Sequence, residues 1–313
     1  MPAPVDSNSP AVWNDGQMVL FNSSNVPLVS RSTNQFLPFD TEAVSLDEME
    51  VLPVWMEAAW KDDDDTIFAW YHHEPGGVCS GNSLTVPVIG AMVSYDGGNS
   101  FEDLGPVLTA ADAPNCQALN GFFAGGHGDF SVITDRDRHY FYFLFSNYGG
   151  DGSQQGIAVA RMEFGHRFAP SGAVMKYFDS DWTEPGLGGE VTPLMGVIRP
   201  WQFEDADAYW GPSVHWNSFL QQYVMLLNHA CCGTRWPQKE IAVSYSKDLV
   251  TWTKPVTLLD DIGFGPGYYP QVLGTQDGET DTLAGELARF YVQGVSHWEI
   301  IFHQDPPAAS AKD

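Results

Sequence analysis

The chain has 313 residues, 43% of them hydrophobic, with 11 Trp, 12 Tyr and 19 Phe; that is material for a large core and excludes a disordered chain. Fourteen Lys and Arg stand against 40 Asp and Glu, a formal net charge of -26, so phosphodiester backbones and anionic lipid heads are repelled. Nucleic acid and membranes are therefore not expected as partners, whereas a neutral ligand meets no such barrier, and no apolar run approaches the ~20 residues that span a bilayer.

The N-terminal "MPAPVDSNSP" lacks the basic start and apolar body of a secretory signal. Beyond it the chain is a succession of short aromatic or β-branched runs closed by Gly, Asp or Asn. They begin with "QMVLFNSS", "TIFAWYHHE" and "GAMVSYDGG", continue through "HYFYFLFSNYGG" and "GIAVARMEF", and end with "QQYVMLLNHA", "EIAVSYSKD", "ARFYVQG" and "WEIIFHQ". Each suits a strand and is too short for a packed helix, and "NDG", "YDGGNS" and "TDRDRH" between them are turn material. The best helix candidate, "TEAVSLDEMEVLPV" (41–54), offers one or two turns. The "KDDDD" run (61–65) lacks the spacing of a calcium loop and reads as a solvated turn. Cys79, Cys116, Cys231 and Cys232 include no C-x-x-C pair, so a structural zinc site is not expected.

The runs recur in groups. "SPAVWNDGQMVLFNSS", "MEAAWKDDDDTIFAWYHHE", "GDFSVITDRDRHYFYFLFSNY" and "WGPSVHWNSFLQQYVMLLNHA" share one form, and "GYYPQVLGTQDGETDTLAGELARFYVQG" is a looser fifth. A second phrase, a small-residue strand followed by S-Y and a charged turn, recurs in "IGAMVSYDGGNSFEDLGPVL" and "KEIAVSYSKDLVTWTKPVTL". Group starts at Pro10, Glu57, Asp129, Pro212 and Pro270 fit an all-β, five-bladed β-propeller of four-stranded antiparallel blades, each of which needs about 40–50 residues. The whole chain, 1–313, reads as one such domain, with a long inter-blade insertion around 176–208. A two-sheet sandwich is the alternative, but it requires no recurrence.

In a propeller the first strand of each blade faces the axis, so residues at matching ends of those strands converge. Here that set is Asp6, Glu57, Asp129, His215 and Tyr269. Carboxylates crowded together raise at least one pKa, which yields the protonated acid and ionised carboxylate that glycoside hydrolysis requires. Asp6, among Ser7, Asn8 and Ser9, suits a general base; equally, Asp before a strand is ordinary turn chemistry. Glu57, between Trp55 and Trp60, suits a general acid if buried and is merely solvated if exposed. Asp129 follows a glycine-rich stretch, and on a regular strand His127 would share its face, available to tune an acid or bind a hydroxyl. Glu190, in the insertion, is a competing acid. Trp210 offers an indole face to a sugar ring, although most of the tryptophans must fill gaps between blades.

These phrases, over nearly the whole chain, resemble the five-bladed propeller glycoside hydrolases: the arabinanase, xylosidase and arabinofuranosidase group with its fructosidase relatives. The resemblance implies that Asp6, at the start of the first blade, is the general base or nucleophile. It implies that acids of the second and third blades are the proton donor and its modulator. Those are usually Asp then Glu, whereas here Glu57 precedes Asp129, so Glu57, Asp129 and Glu190 stay open for the acid. It also implies a possible structural calcium near the axis, with His215 as its counterpart, and a secreted or periplasmic setting. The function expected is hydrolysis of an oligo- or polysaccharide by paired carboxylates with inversion. A non-catalytic carbohydrate-binding propeller with a degenerate site is the alternative, and a protein-interaction propeller is a third.

Overall fold

The computed structural model describes residues 1–34, 39–47, 53–62, 65–260 and 267–304. Five antiparallel-based sheets follow one another along the chain. Their innermost strands are Ala11–Asn14, Val54–Lys61, His127–Thr134, Ala208–Asn217 and Pro270–Gly274. These are the five expected group starts, and the fold is a five-bladed β-propeller. Each sheet is a blade, numbered one to five here.

The alternation of strand side chains explains how the blades join. In the second strand of blade three, Tyr140–Asn147, Phe141, Phe143 and Phe145 enter a cluster with Phe68, Trp70 and Ile89 of blade two. Tyr142 and Leu144 point the other way, into a cluster with Val214, Met225 and Leu227 of blade four. A strand buried on both faces therefore reads as the continuous aromatic run "YFYFLFSN". Similar clusters fill the junctions one–two, around Phe21, Ile67 and Phe101, and four–five, around Leu226, Val272 and Phe290. Ala11, Met18 and Leu20 of blade one meet Leu273 and Tyr291 of blade five, which closes the ring.

Each junction also carries a hydrogen bond from a backbone N–H of one blade to a side chain of its neighbour. Met56 N donates to Ser23 Oγ (2.9 Å), Phe130 N to Glu57 Oε2 (3.0 Å) and Gly211 N to Ser146 Oγ (2.9 Å). Tyr269 N donates to Asn228 Oδ1 (3.0 Å), and Ser9 N to Gln271 Oε1 (2.9 Å), with Gln271 Nε2 returning a bond to Ser9 O (2.6 Å). Asn8 Nδ2 adds bonds to Phe130 O (2.8 Å) and Pro212 O (2.9 Å), fastening the N-terminal segment to blades three and four.

Turn chemistry follows the sequence. "NDG" makes a two-residue hairpin with Asn14 opposite Gln17, Asp15 at φ 48° and Gly16 at φ 73°. The two S-Y phrases make the same turn: Ser94 Oγ donates to Asp96 Oδ1 (2.8 Å) and Ser246 Oγ to Asp248 Oδ1 (3.1 Å).

Three expectations need correction or limits. The helix candidate forms strand where it is described: Asp40–Ala43 is the outer strand of blade one, and Ser45–Asp47 pairs in parallel with the outer strand of blade two. Residues 48–52 of that candidate, and 63–64 of the acidic run, lie outside the described residues. The stretch expected as an insertion is partly blade: Val174–Phe178 and Asp181–Pro185 form an edge hairpin on blade three, and Met195–Gly196 pairs with its third strand, Gly156–Glu163. Lys176, buried there, donates to Thr109 O (2.7 Å) and Gly189 O (2.6 Å), tying the hairpin to its surroundings. Blade five has three strands among the described residues, and Leu283–Ala284 crosses to pair in parallel with the inner strand of blade four.

Candidate active site

β-Bulges place the acids. The pairing of the two inner strands of blade two slips between Met56 and Ala58, at Glu57; that of blade three slips between Gly128 and Phe130, at Asp129. Asp129 adopts φ 43°, and in blade five Tyr269, just before the inner strand, adopts φ 56°. Bulges re-aim side chains at strand ends, and left-handed backbone at a non-glycine residue marks a position held by its surroundings.

A pocket of ≈ 250 Å³ opens at this end of the axis, lined by Asp6, Glu74 and Asp129 and by Trp210, Tyr268 and Tyr269. Its outer wall is Phe122, Phe123, Trp236 and Arg235. Phe123 packs on Tyr148 (ring centroids 4.6 Å apart), and Trp236 on Trp201 (4.4 Å) and Phe122 (5.0 Å). Both loops that supply this wall are pinned by disulfides. Cys79–Cys116 ties the segment before Phe122 to the loop after blade two's second strand, and Cys231–Cys232 opens the turn that presents Arg235 and Trp236.

Asp129 is buried, and its Oδ2 accepts the Tyr148 hydroxyl at 2.5 Å. Burial pushes its carboxyl above the ordinary value, against the lowering pull of His72 and Tyr148. Asp6 stands at the mouth; partial desolvation by the pocket walls, then the charge of Asp129, pushes its carboxyl upward too. Glu57 sits behind the pocket, fully buried, with both oxygens occupied: Oε1 by His72 Nδ1 (2.9 Å) and Oε2 by Phe130 N. Burial raises it to about 7 despite His72. Burial alone would lower His72, but Glu57 and Glu74 (Nε2 to Oε1, 3.2 Å) raise it to about 10, which favours its protonated form between the two carboxyl groups.

Asp6, Asp129, Trp210 and Tyr269 thus share one pocket, with Glu57 sealed behind it. His127 is not beside Asp129's carboxyl, because the bulge breaks the alternation on which that expectation rests. It lines a separate small cleft with Glu190, an exposed residue of blade three's edge region. His215 is buried against Phe302 (5.5 Å) between blades four and five, and burial lowers it to about 3.

Two side-chain groups bring potential metal-ligand atoms within 4.8 Å of one another: Glu57, His72 and Asp129, and Asp207, His229 and Cys231. His215 belongs to neither. Calcium requires a shell of oxygens. The first group offers two carboxylates and an imidazole nitrogen, and the second one carboxylate, an imidazole nitrogen and a disulfide-bound sulfur, so neither is by itself the oxygen shell calcium takes.

Of the adjacent His72 and His73, strand alternation lets only one face a site, and it is His72 that meets Glu57 and Glu74. Sequence reasoning missed Glu74 and Tyr148, and the wall residues Arg235 and Trp236; the "HHE" that ends the second strand of blade two was the available signal for Glu74. The adjacent cysteines, a pair able to bond only each other or distant partners, marked the last two.

The fold is that of the five-bladed propeller glycoside hydrolases which the sequence resembles. Among solved structures the chain is similar to an endo-arabinase of Bacteroides thetaiotaomicron VPI-5482, at 12% identity and TM-score 0.56, covering 96% of this chain and 95% of that one. It is also similar to exo-β-1,3-galactanases of Clostridium thermocellum (11% identity, TM-score 0.51, 92% of this chain) and Phanerochaete chrysosporium, the latter bound to β-1,3-galactotriose (10%, 0.51, 92%). The chain spans 58% and 56% of those two galactanases. No protein-family pattern and no curated protein sequence matches the chain.

Proposed function

We propose that the chain is a glycoside hydrolase acting on a neutral oligo- or polysaccharide, with Asp6 as general base and Asp129 as general acid. The observation that carries this reading is the convergence of Asp6 and Asp129 on one aromatic-walled pocket, each carboxyl shifted upward. Burial, the largest influence on Asp129, favours its protonated form, which suits it to deliver a proton to the leaving oxygen. Asp6 at the solvent-facing mouth suits activation of water, a division of labour that inverts the anomeric centre. Glu57 and His72 then act behind the reacting groups, holding Phe130 N and the local charge.

The walls support a sugar ligand. Trp210 and Trp236 line the pocket together with Phe122, Phe123, Tyr268 and Tyr269, an aromatic lining suited to the C–H surface of a sugar ring. The endo-arabinase and the galactanases of the same fold nominate arabinan and β-1,3-galactan oligomers for assay, beside xylan and fructan oligomers and aryl glycosides. Proton NMR of the first product from the best substrate should show the inverted anomer; no hydrolysis of any of them, with saturable binding retained, would replace the enzyme with the sugar-binding reading, which the sealed position of Glu57 favours. The two disulfides suit an oxidising compartment, secreted or periplasmic, as the setting.

A further inference from the structure

The turn that presents Arg235 and Trp236 to the pocket is rooted in a separate cluster of side chains, Asp207, His229 and Cys231. His229 lies near the end of the second strand of blade four, Gln222–Ala230, in register with Glu240 of the third, Gln238–Ser246. Asp207 is fixed by backbone hydrogen bonds exchanged with Arg199 (3.0 and 3.1 Å), and Cys231 N donates to Pro237 O (3.2 Å) across the turn. Sheet and turn backbone therefore set all three positions. No C-x-x-C spacing marks the cluster, because the fold, not the local run of residues, brings Asp207 to the cysteines.

The side chains stand in series. Glu240 Oε2 accepts the Thr257 hydroxyl (2.6 Å), and Glu240 Oε1 takes His229 Nδ1 (2.8 Å). That orients the buried ring and directs Nε2 at Asp207 Oδ1 (2.8 Å), while Asp207 Oδ2 lies 3.9 Å from Cys232 Sγ. A carboxylate on one imidazole nitrogen, with the other nitrogen aimed at further ligand atoms, is the arrangement that supports a metal-bound histidine. The disulfide withholds the site, because thiolate sulfur is what binds a metal. Its two cysteines differ in access, Cys232 being exposed and Cys231 buried. Among the described residues the other pair, Cys79–Cys116, joins no such group.

We infer that opening the Cys231–Cys232 disulfide creates a zinc site from Cys231 Sγ, His229 Nε2 and the Asp207 carboxylate. A dithiol supplies the two electrons: its thiolate attacks the exposed Cys232 Sγ, the S–S bond breaks, and Cys231 leaves as thiolate. The second thiol of the reductant then attacks the mixed disulfide, freeing Cys232 and closing the reductant's own disulfide. Zinc takes the Cys231 thiolate, displaces the proton between His229 Nε2 and Asp207 Oδ1, and keeps its fourth tetrahedral position for water. One thiolate, one imidazole and one carboxylate suit zinc rather than calcium or magnesium. The metal then ties the start of the wall turn to blade four in place of the disulfide.

Cys232→Ser tests this directly, since it cannot form the bond, spares Cys79–Cys116 and needs no reductant. Titration calorimetry of this variant should show one equivalent of zinc bound. Cobalt(II) as the probe should give thiolate-to-cobalt charge-transfer absorption and the visible bands of a tetrahedral centre, both bleached by zinc. Wild type opened with a phosphine reductant should do the same, which keeps the test independent of how the variant folds; oxidised wild type should not. In the Cys232→Ser background, Glu240→Ala should weaken zinc about 10–100-fold, and Cys231→Ser should abolish the charge-transfer absorption. No thiolate–cobalt absorption in Cys232→Ser or in reduced wild type, equally tight zinc binding by oxidised wild type, or absorption that survives Cys231→Ser would each overturn the inference.

Discussion

Asp129 and Glu57 look alike in the sequence, each an acid two or three residues into an inner strand, yet one faces the pocket and the other is sealed. The difference lies in the bulges, which reset the alternation by one residue, and no local residue type announces a bulge at "WMEAAW". Asp6 was legible because its blade begins where the resemblance places it; His127 was misjudged because alternation was assumed to run through Gly128. If Asp129 is the acid and Asp6 the base, kcat/KM follows a bell in pH. The acidic limb reports ionisation of Asp6 and the alkaline limb loss of the proton from Asp129. The Tyr148 hydroxyl favours ionised Asp129, so Tyr148→Phe should raise that group's pKa and move the alkaline limb to higher pH. An unmoved limb would detach Tyr148 from the acid.

At the scale of elements, the junction hydrogen bonds give Glu57 a structural task whatever its chemistry. Glu57→Ala leaves Phe130 N and the His72 ring buried without that partner, and breaking a buried ion pair of this kind costs about 3–5 kcal/mol. Urea unfolding should register a loss of that order, and a loss near zero would contradict the junction role. Blade cores were readable from the doubly buried aromatic runs, but the edge hairpin of blade three was not. Its second strand alternates exposed and half-buried residues, and its turn uses Asp179 and Ser180 at φ 46° and 72° where Asn-Gly would have signalled a hairpin. The segment 40–47 was misjudged for a related reason: helix-compatible residues there are recruited as strands at blade edges, where pairing outweighs local propensity.

For the whole molecule, ring closure concentrates buried titratable groups, and stability should follow them. His215, neutral in the fold and lowered from 6.5 to about 3, contributes stability that is present above its unfolded pKa and is lost as pH falls through that window. Melting temperature should therefore drop between pH 7 and pH 4, and less steeply in His215→Gln; parallel curves would assign the drop to other groups. Reduction by dithiothreitol releases both wall loops while the five junction clusters remain, so activity should fall before the propeller melts. Coincident loss of activity and of β-sheet circular dichroism would mean that the disulfides hold the ring itself. The most direct test of paired-carboxylate hydrolysis is the leaving-group dependence of kcat in Asp6→Asn and Asp129→Asn. With Asp129 as acid, its variant should lose about 10²–10⁴-fold on sugar or alkyl leaving groups and much less on an activated dinitrophenyl glycoside, while Asp6→Asn loses similarly on both. Wild-type turnover in both variants on both substrates would contradict the account.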